Sequence, residues 1–97
     1  MAKRVVYSDN AIKDRIDILN YWNKRIGTKT YSKKLDKSFR EIIKLLADYP
    51  ELGRQLDNRE ERFFVKEAYQ IFYTFDDATI IILHIWDSRR NPGDLAL

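Results

Sequence analysis

The 97-residue sequence has no cysteine, one histidine, three glycines and two prolines. Without cysteine there is no disulfide, no thiolate nucleophile and no Cys-based zinc site, and His84 alone cannot supply an imidazole metal cluster. No cofactor and no metal is expected. So few glycines and prolines leave few built-in interruptions, which suits one small domain over residues 1–97. Long hydrophobic runs are missing too. The longest purely apolar stretch, Ile80 to Leu83, is far below the ~20 residues of a membrane span. The basic opening Ala2-Lys3-Arg4 is not followed by an apolar segment with a small-residue cleavage site. The expectation is a cytoplasmic protein with no membrane partner.

What is present is charge (34%) and aromaticity (13%). A chain of this size buries roughly 60–65% of its unfolded surface, so its aromatic rings must supply much of the core. The net charge of +3 is unevenly spread: residues 1–48 hold 12 Lys+Arg against 6 Asp+Glu, and residues 49–97 hold 6 against 9. The two halves should meet different surroundings.

Val5, Val6 and Tyr7 predict a short strand over Lys3 to Tyr7. Ser8 and Asp9 can cap a following helix, whose apolar residues Ile12, Ile16, Leu19, Trp22 and Ile26 recur at helical spacing and predict its buried stripe. Gly27 ends it. Thr28 can cap a second helix with its own stripe, Tyr31, Leu35, Phe39, Ile42 and Leu46. Lys29, Lys33, Lys37, Arg40 and Lys44 form a basic ridge on its opposite side. The two helices should make an antiparallel hairpin, closed by Tyr49-Pro50 because the residue before proline is pushed out of helical geometry. Residues 51–61 read as a polar surface loop.

Three strands then fit the aromatic and β-branched texture: Arg62 to Lys66, Tyr69 to Asp76 and Ala78 to Asp87. Tight links make them an antiparallel meander. Alternation puts Tyr69, Ile71, Tyr73 and Phe75 on the helix-facing side of the middle strand and Gln70, Phe72 and Thr74 on the other. The last strand is apolar in both parities until His84, so it should be central. Parity groups His84 with Ile80, Ile82 and Trp86, on the open face beside Gln70. A basic turn and tail from Arg89 to Gly93 follow. The order β-α-α-β-β-β defines an α+β fold, a helical hairpin on one face of a mainly antiparallel sheet.

Tyr49-Pro50-Glu51-Leu52-Gly53-Arg54, Tyr69-Gln70-Ile71-Phe72-Tyr73 and Ile82-Leu83-His84-Ile85-Trp86-Asp87-Ser88-Arg89-Arg90-Asn91-Pro92, in that order and spacing, resemble the RelE/ParE superfamily of toxins from type II toxin-antitoxin systems. The resemblance implies a growth-arresting toxin neutralised by a cognate antitoxin. It implies one of two targets: mRNA on the ribosome, cut by RelE-like endoribonucleases, or DNA gyrase, poisoned by ParE-like inhibitors. A non-toxic antitoxin-binding or RNA-binding module on the same fold is the alternative. Fold cannot choose among them.

Metal-free RNA cleavage needs a base, cations around the phosphate and an acid. By resemblance, Arg62 and Lys66 match the basic residues of the first meander strand and Arg89 matches the arginine past the last strand. Gln70 stands where RelE-like enzymes carry a second arginine, and no tyrosine or histidine follows Arg90. His84 is the candidate general base or acid, with an ordinary pKa near neutrality; the plain alternative is a packed strand histidine. Arg90, Gln70 and Trp86 are candidates for gripping the target, Trp86 by stacking on a base or else by packing the sheet. Arg62 and Lys66 serve equally as edge charges, and the ridge from Lys29 to Lys44 as a solvated face. Glu60, Glu61 and Glu67 lie beside Arg62 and Lys66, where ion pairing accounts for them.

Overall fold

The computed structural model describes residues 2–90. Its elements follow the expected order, with one addition: β1 (Arg4–Tyr7), α1 (Asp9–Ile26), α2 (Thr30–Asp48), β2 (Arg54–Gln55), β3 (Arg62–Lys66), β4 (Tyr69–Phe75) and β5 (Thr79–Asp87). The sheet runs β1-β5-β4-β3-β2, with β1 parallel to β5 and every other pair antiparallel. The last strand is central, as its two-sided apolarity requires. The two-residue β2 was not expected. It forms inside the polar loop because Arg54 and Gln55 add to the free edge of β3, opposite Phe63 and Arg62.

α1 starts where Ser8 accepts a hydrogen bond from the Ala11 amide (3.1 Å) and donates its own to the Leu83 carbonyl (2.8 Å). One hydroxyl thus caps the helix and ties it to β5. Gly27 stops the helix at φ 83°, a left-handed geometry that favours glycine, and its amide returns to the Asn23 carbonyl at 2.9 Å. Thr28 does not cap α2; Lys29 holds that position without a side-chain bond. In the β4–β5 turn, Asp76 accepts from the Ala78 and Thr79 amides. That local bonding takes Asp76 and Ala78 out of the strands expected to contain them.

The α2 stripe is buried as expected at Leu35, Phe39, Ile42 and Leu46, joined by Ile43 and Ala47, while Tyr31 is half-buried. They pack on Tyr69, Ile71 and Tyr73 of β4 and Ile80, Ile82 and Ile85 of β5. The α1 stripe is buried only in part. Leu19 and Trp22 pack against the core as expected, but Ile12, Ile16 and Ile26 are 47%, 52% and 47% exposed, and fully buried Ala11 with half-buried Ile18 and Trp22 set the core-facing side. At 100° per residue the two sets are centred about 100° apart. The helix settles on its smallest residue, Ala11, and its seat is fixed by polar hooks. Asp14 reaches β5, and Arg15 pairs with Asp36 of α2 through bonds of 2.6 and 2.9 Å.

The ladder carries a second correction. Ile82 pairs with Tyr73 but His84 pairs with Phe72, so Leu83 is an extra residue in β5. Ile80 and Ile82 consequently lie in the helix-side core, as does Ile85, while His84 and Trp86 align with Phe72 and Gln70. Parity counted through Leu83 fails because the bulge resets it. That face is also less open than expected: Phe72 and Trp86 are each 4% exposed.

The Arg15–Asp36 pair ties the two helices together. Its hydrogen bonds hold the Asp36 carboxyl below the ordinary 3.8, against the opposing effect of burial. A depressed carboxyl stabilises the fold above its ordinary pKa, and that contribution disappears as pH falls through the lower folded value. Asp36→Asn is therefore expected to cost about 1–2 kcal/mol in urea unfolding at pH 7, with a smaller difference from wild type below pH 3.

Candidate functional site

The best-formed concavity, a cleft of about 420 Å³, opens where the C-terminal half of α1 passes the end of β5. Ile18, Tyr21 and Trp22 form its helical wall, Tyr69 its floor, and Asp87, Arg89 and Arg90 its rim, with Asp17 at the mouth. The helical period sets this wall, because residues 18 and 22 share one side of α1. The floor is rigid. The Trp22 indole donates to the Tyr69 hydroxyl at 2.8 Å, and the Trp22 ring meets Tyr31 edge-on at 4.9 Å. Tyr69 in turn meets Phe39 edge-on at 5.3 Å. Burial pushes the Tyr69 hydroxyl pKa up, only partly offset by the Trp22 bond.

Arg89 is held at this rim by two contacts. Its Nε and Nη2 donate to the Asp87 carboxylate at 2.9 and 2.6 Å, and its guanidinium lies 5.7 Å from the centre of the Trp22 ring. The bonds lower the Asp87 pKa and raise that of Arg89. Arg90, at the same rim, lies 4.6 Å from the centre of the Trp86 ring. Consecutive arginines thus stack on tryptophans of two different elements. The rest of the expected basic tail, Asn91 to Gly93, lies outside the described residues.

The other candidates are not gathered here. Arg62 pairs with Tyr73, Lys66 with Tyr69 and Phe64 with Ile71, which places all three on the helix side of the sheet. They share a face, as alternation requires, but not the face of Gln70. Arg62 is engaged structurally: its Nη1 donates to the carbonyls of Gly53 (2.8 Å) and Glu51 (3.3 Å). The Tyr73 hydroxyl grips the same loop, donating to the Pro50 carbonyl and accepting from the Gly53 amide. Gly53 has no room for a side chain, since a Cβ there would lie 2.9 Å from the Phe63 carbonyl oxygen. Lys66 is exposed, about 13 Å along β3 from Arg62. Arg59, not Arg62 or Lys66, pairs with Glu61.

His84 is 7% exposed. Its Nδ1 lies 2.9 Å from Asp14 Oδ2, which also accepts the Ile85 amide at 3.1 Å. An ionised carboxylate only accepts, so the Nδ1 proton belongs to this bond. Gln70 and Trp86 face one another across β4 and β5. The arrangement therefore offers an aromatic cleft with a pinned arginine, and leaves the cleavage candidates distributed over both faces. Among the described residues no group of His, Cys, Asp or Glu could hold a metal ion, and no helix is long and apolar enough to cross a membrane.

Sequence reasoning missed Trp22, Tyr69 and Asp87 as cleft residues and Asp14 as the partner of His84. Trp22 and Tyr69 read as core, which they also are. The Asp-x-Arg spacing of Asp87 and Arg89 was the available signal, because it allows this short-range ion pair.

A helical hairpin laid on a sheet of this order defines the architecture of RelE/ParE-type toxins. A family model described as "ParE toxin of type II toxin-antitoxin system, parDE" matches residues 5–92. The chain belongs to the ParE toxin family. A solved structure described as "Chromosomal ParDE TA system from P. aeruginosa" shares the fold, with a TM-score of 0.75 at 19% identity over 87% of this chain and 94% of that one. No curated protein matches the sequence.

Asp87→Asn is expected to release Arg89 from Trp22 and raise the accessibility of that indole to acrylamide. Because Arg89 is more than half exposed, solvent screens the pair and stability should barely move. Fluorescence quenching in a Trp86→Phe background, which leaves Trp22 as the reporter, checks this.

Proposed function

We propose that this chain is the toxin of a type II toxin-antitoxin pair, that it arrests growth by binding DNA gyrase without chemistry of its own, and that a cognate antitoxin silences it. The observation that carries this reading is the split of the cleavage candidates. Arg62 and Lys66 lie on the helix side of the sheet, Gln70 and Trp86 align on the other, and His84 is buried against Asp14.

Charge argues in the same direction. A guanidinium that stabilises a phosphorane-like transition state must bring uncompensated charge to it. Arg89 carries Asp87 with it, and Arg62 is committed to two loop carbonyls. A pinned, flat arginine over an aromatic wall suits recognition of a protein surface better than phosphate chemistry, since anchors of that kind dominate binding energy at interfaces. In this reading the Arg89 cleft is the contact surface for the target. The membership in the ParE family supports the gyrase branch over the ribosomal one.

Purified chain added to gyrase and relaxed plasmid should inhibit supercoiling and leave cleaved DNA. It should leave mRNA intact in a translating extract, as read by primer extension. Arg89→Ala should weaken gyrase inhibition at least tenfold, whereas His84→Gln should retain it despite a lower melting temperature. Codon-phased mRNA cuts that vanish with His84→Gln would overturn the proposal in favour of a ribosome-dependent endoribonuclease. Absence of growth arrest on expression would leave the non-toxic binding module.

A further inference from the structure

The tip of the helical hairpin concentrates charge of one sign that neither the core nor the cleft uses. Residues 18–35 contain no Asp or Glu, yet hold Lys24, Arg25, Lys29, Lys33 and Lys34. All five are exposed, and none has an ion pair among the described residues. Lys24 and Arg25 lie in the last turn of α1, Lys29 stands at the N-cap of α2, and Lys33 and Lys34 follow within its first turn and a half. The bend at Gly27 therefore brings cations of both helices to one end of the molecule. The nearest acids are committed or remote. Asp36 pairs with Arg15 and Arg40, and Asp17 stands two turns back along α1 from Lys24, at the mouth of the cleft.

This charge works against the second helix. Cations suit the C-terminal end of α1, but at the start of α2 they oppose the macrodipole, where acidic side chains would stabilise the turn. α2 has none there. From Lys29 the ridge continues through Lys37, Arg40 and Lys44, about 22 Å along the helix. Its carboxylate contacts among the described residues are Lys37 to Glu41 at 3.9 Å, with both side chains mostly exposed, and Arg40 to Asp36 at 3.5 Å. Solvent screens the first, and Asp36 is shared with Arg15, so the ridge keeps a net positive charge.

Length and sign fit a polyanion. Four of the five tip cations are lysines, which are depleted at protein interfaces but neutralise phosphates without demanding a fixed geometry. The ring within the tip, Tyr31, is half-buried and packed edge-on against Trp22, so it offers no platform to unpaired bases. That favours a duplex over a single strand. Position supplies the rest. Arg25 follows Trp22 by three residues and Tyr21 by four, which prolongs the helical wall of the Arg89 cleft into the tip. A protein seated in that cleft has the cations at its margin, and gyrase is an enzyme that works on duplex DNA.

We infer that the hairpin tip binds the phosphate backbone of duplex DNA, so that the chain holds gyrase through the Arg89 cleft and the enzyme's DNA through Lys24, Arg25, Lys29, Lys33 and Lys34. The choice of duplex rests on the reading of gyrase as the target. Phosphate contacts carry no base sequence, so this grip is sequence-independent and weakens steeply with salt.

The test titrates the chain into a fluorescent duplex and follows anisotropy for wild type, Lys24→Gln/Arg25→Gln, Lys29→Gln/Lys33→Gln/Lys34→Gln, and a control, Lys13→Gln/Arg54→Gln, that removes exposed charge elsewhere. Thermal melts verify that each variant folds. Log affinity of wild type should fall against log salt with a slope of about −4, which each tip variant should flatten by about one unit per cation removed. At ~0.1 M salt, where the Debye length is about 10 Å, both tip variants should lose at least fivefold in affinity and the control less than threefold. The same proteins are measured against gyrase with and without bound DNA. DNA should raise wild-type affinity at least tenfold, a gain lost in both tip variants, whereas affinity for DNA-free gyrase should be unchanged in them and lost in Arg89→Ala. Equal duplex affinity in wild type and tip variants overturns the inference. So does a single-stranded RNA of the same length that displaces the duplex at lower concentration, or a loss in the tip variants of affinity for DNA-free gyrase. Tip-dependent duplex binding by a chain that does not bind gyrase overturns the target and leaves the DNA surface standing. Gyrase inhibition by a chain without affinity for duplex overturns this inference alone.

Discussion

One carboxylate sets the geometry on which the functional surfaces depend. Asp14 projects from α1 and takes two donors from β5, the Ile85 amide and His84 Nδ1. It does so just past the point where β1 ends and leaves the β5 edge unpaired, β1 pairing no further than Ile82. A buried amide without a partner costs about 1–3 kcal/mol, so the side chain substitutes for the missing strand. The bulge at Leu83 and the Ser8 bond to its carbonyl complete the joint. With α1 fixed in this rotation, Ile18 and Trp22 face the end of β5 and make the cleft. Ile12 and Ile16 are turned outward by the same rotation.

That joint also explains why the single histidine is a poor guide to chemistry here. Asp14 holds the imidazole of His84 against α1, whereas the cleavage candidates Arg62, Lys66 and Gln70 stand on β3 and β4. The arginines tell a similar story of prior engagement. Arg15 joins the helices, Arg62 closes the Pro50–Gly53 loop onto Tyr73, and Arg89 is neutralised by Asp87. Charge counted along the sequence therefore overstates the charge available to a polyanion. On the α2 ridge, by contrast, Lys29, Lys33 and Lys44 have no ion pair among the described residues.

Much of the fold was legible because its signals are local. The α2 stripe, the Ser8 cap, the Gly27 stop and the alternation of β4 each depend on neighbours within one or two turns or strand steps. The failures share a cause: a nonlocal partner decided the outcome. The α1 stripe was regular, but only Leu19 and Trp22 of it reach the core, because the helix is turned toward a face built on Ala11 and polar hooks to other elements. The parity of His84 was counted correctly through a strand that contains an extra residue. β2 exists only because β3 offers an edge. At the site, Arg89 and Arg90 were found through family resemblance, whereas the aromatic wall that receives Arg89 comes from α1, some 67 positions earlier in the chain. No pattern within the last strand announces it.

Native-state hydrogen exchange at the Ile85 amide tests this account most directly. If Asp14 anchors α1 to β5, that amide should exchange only through global unfolding, with a protection free energy equal to that of the β4–β5 ladder. In Asp14→Asn it should exchange through a local opening of lower free energy. Rapid exchange of Ile85 in the wild-type chain, or protection unaffected by Asp14→Asn, would contradict the claim that this carboxylate holds the helix and the cleft in place.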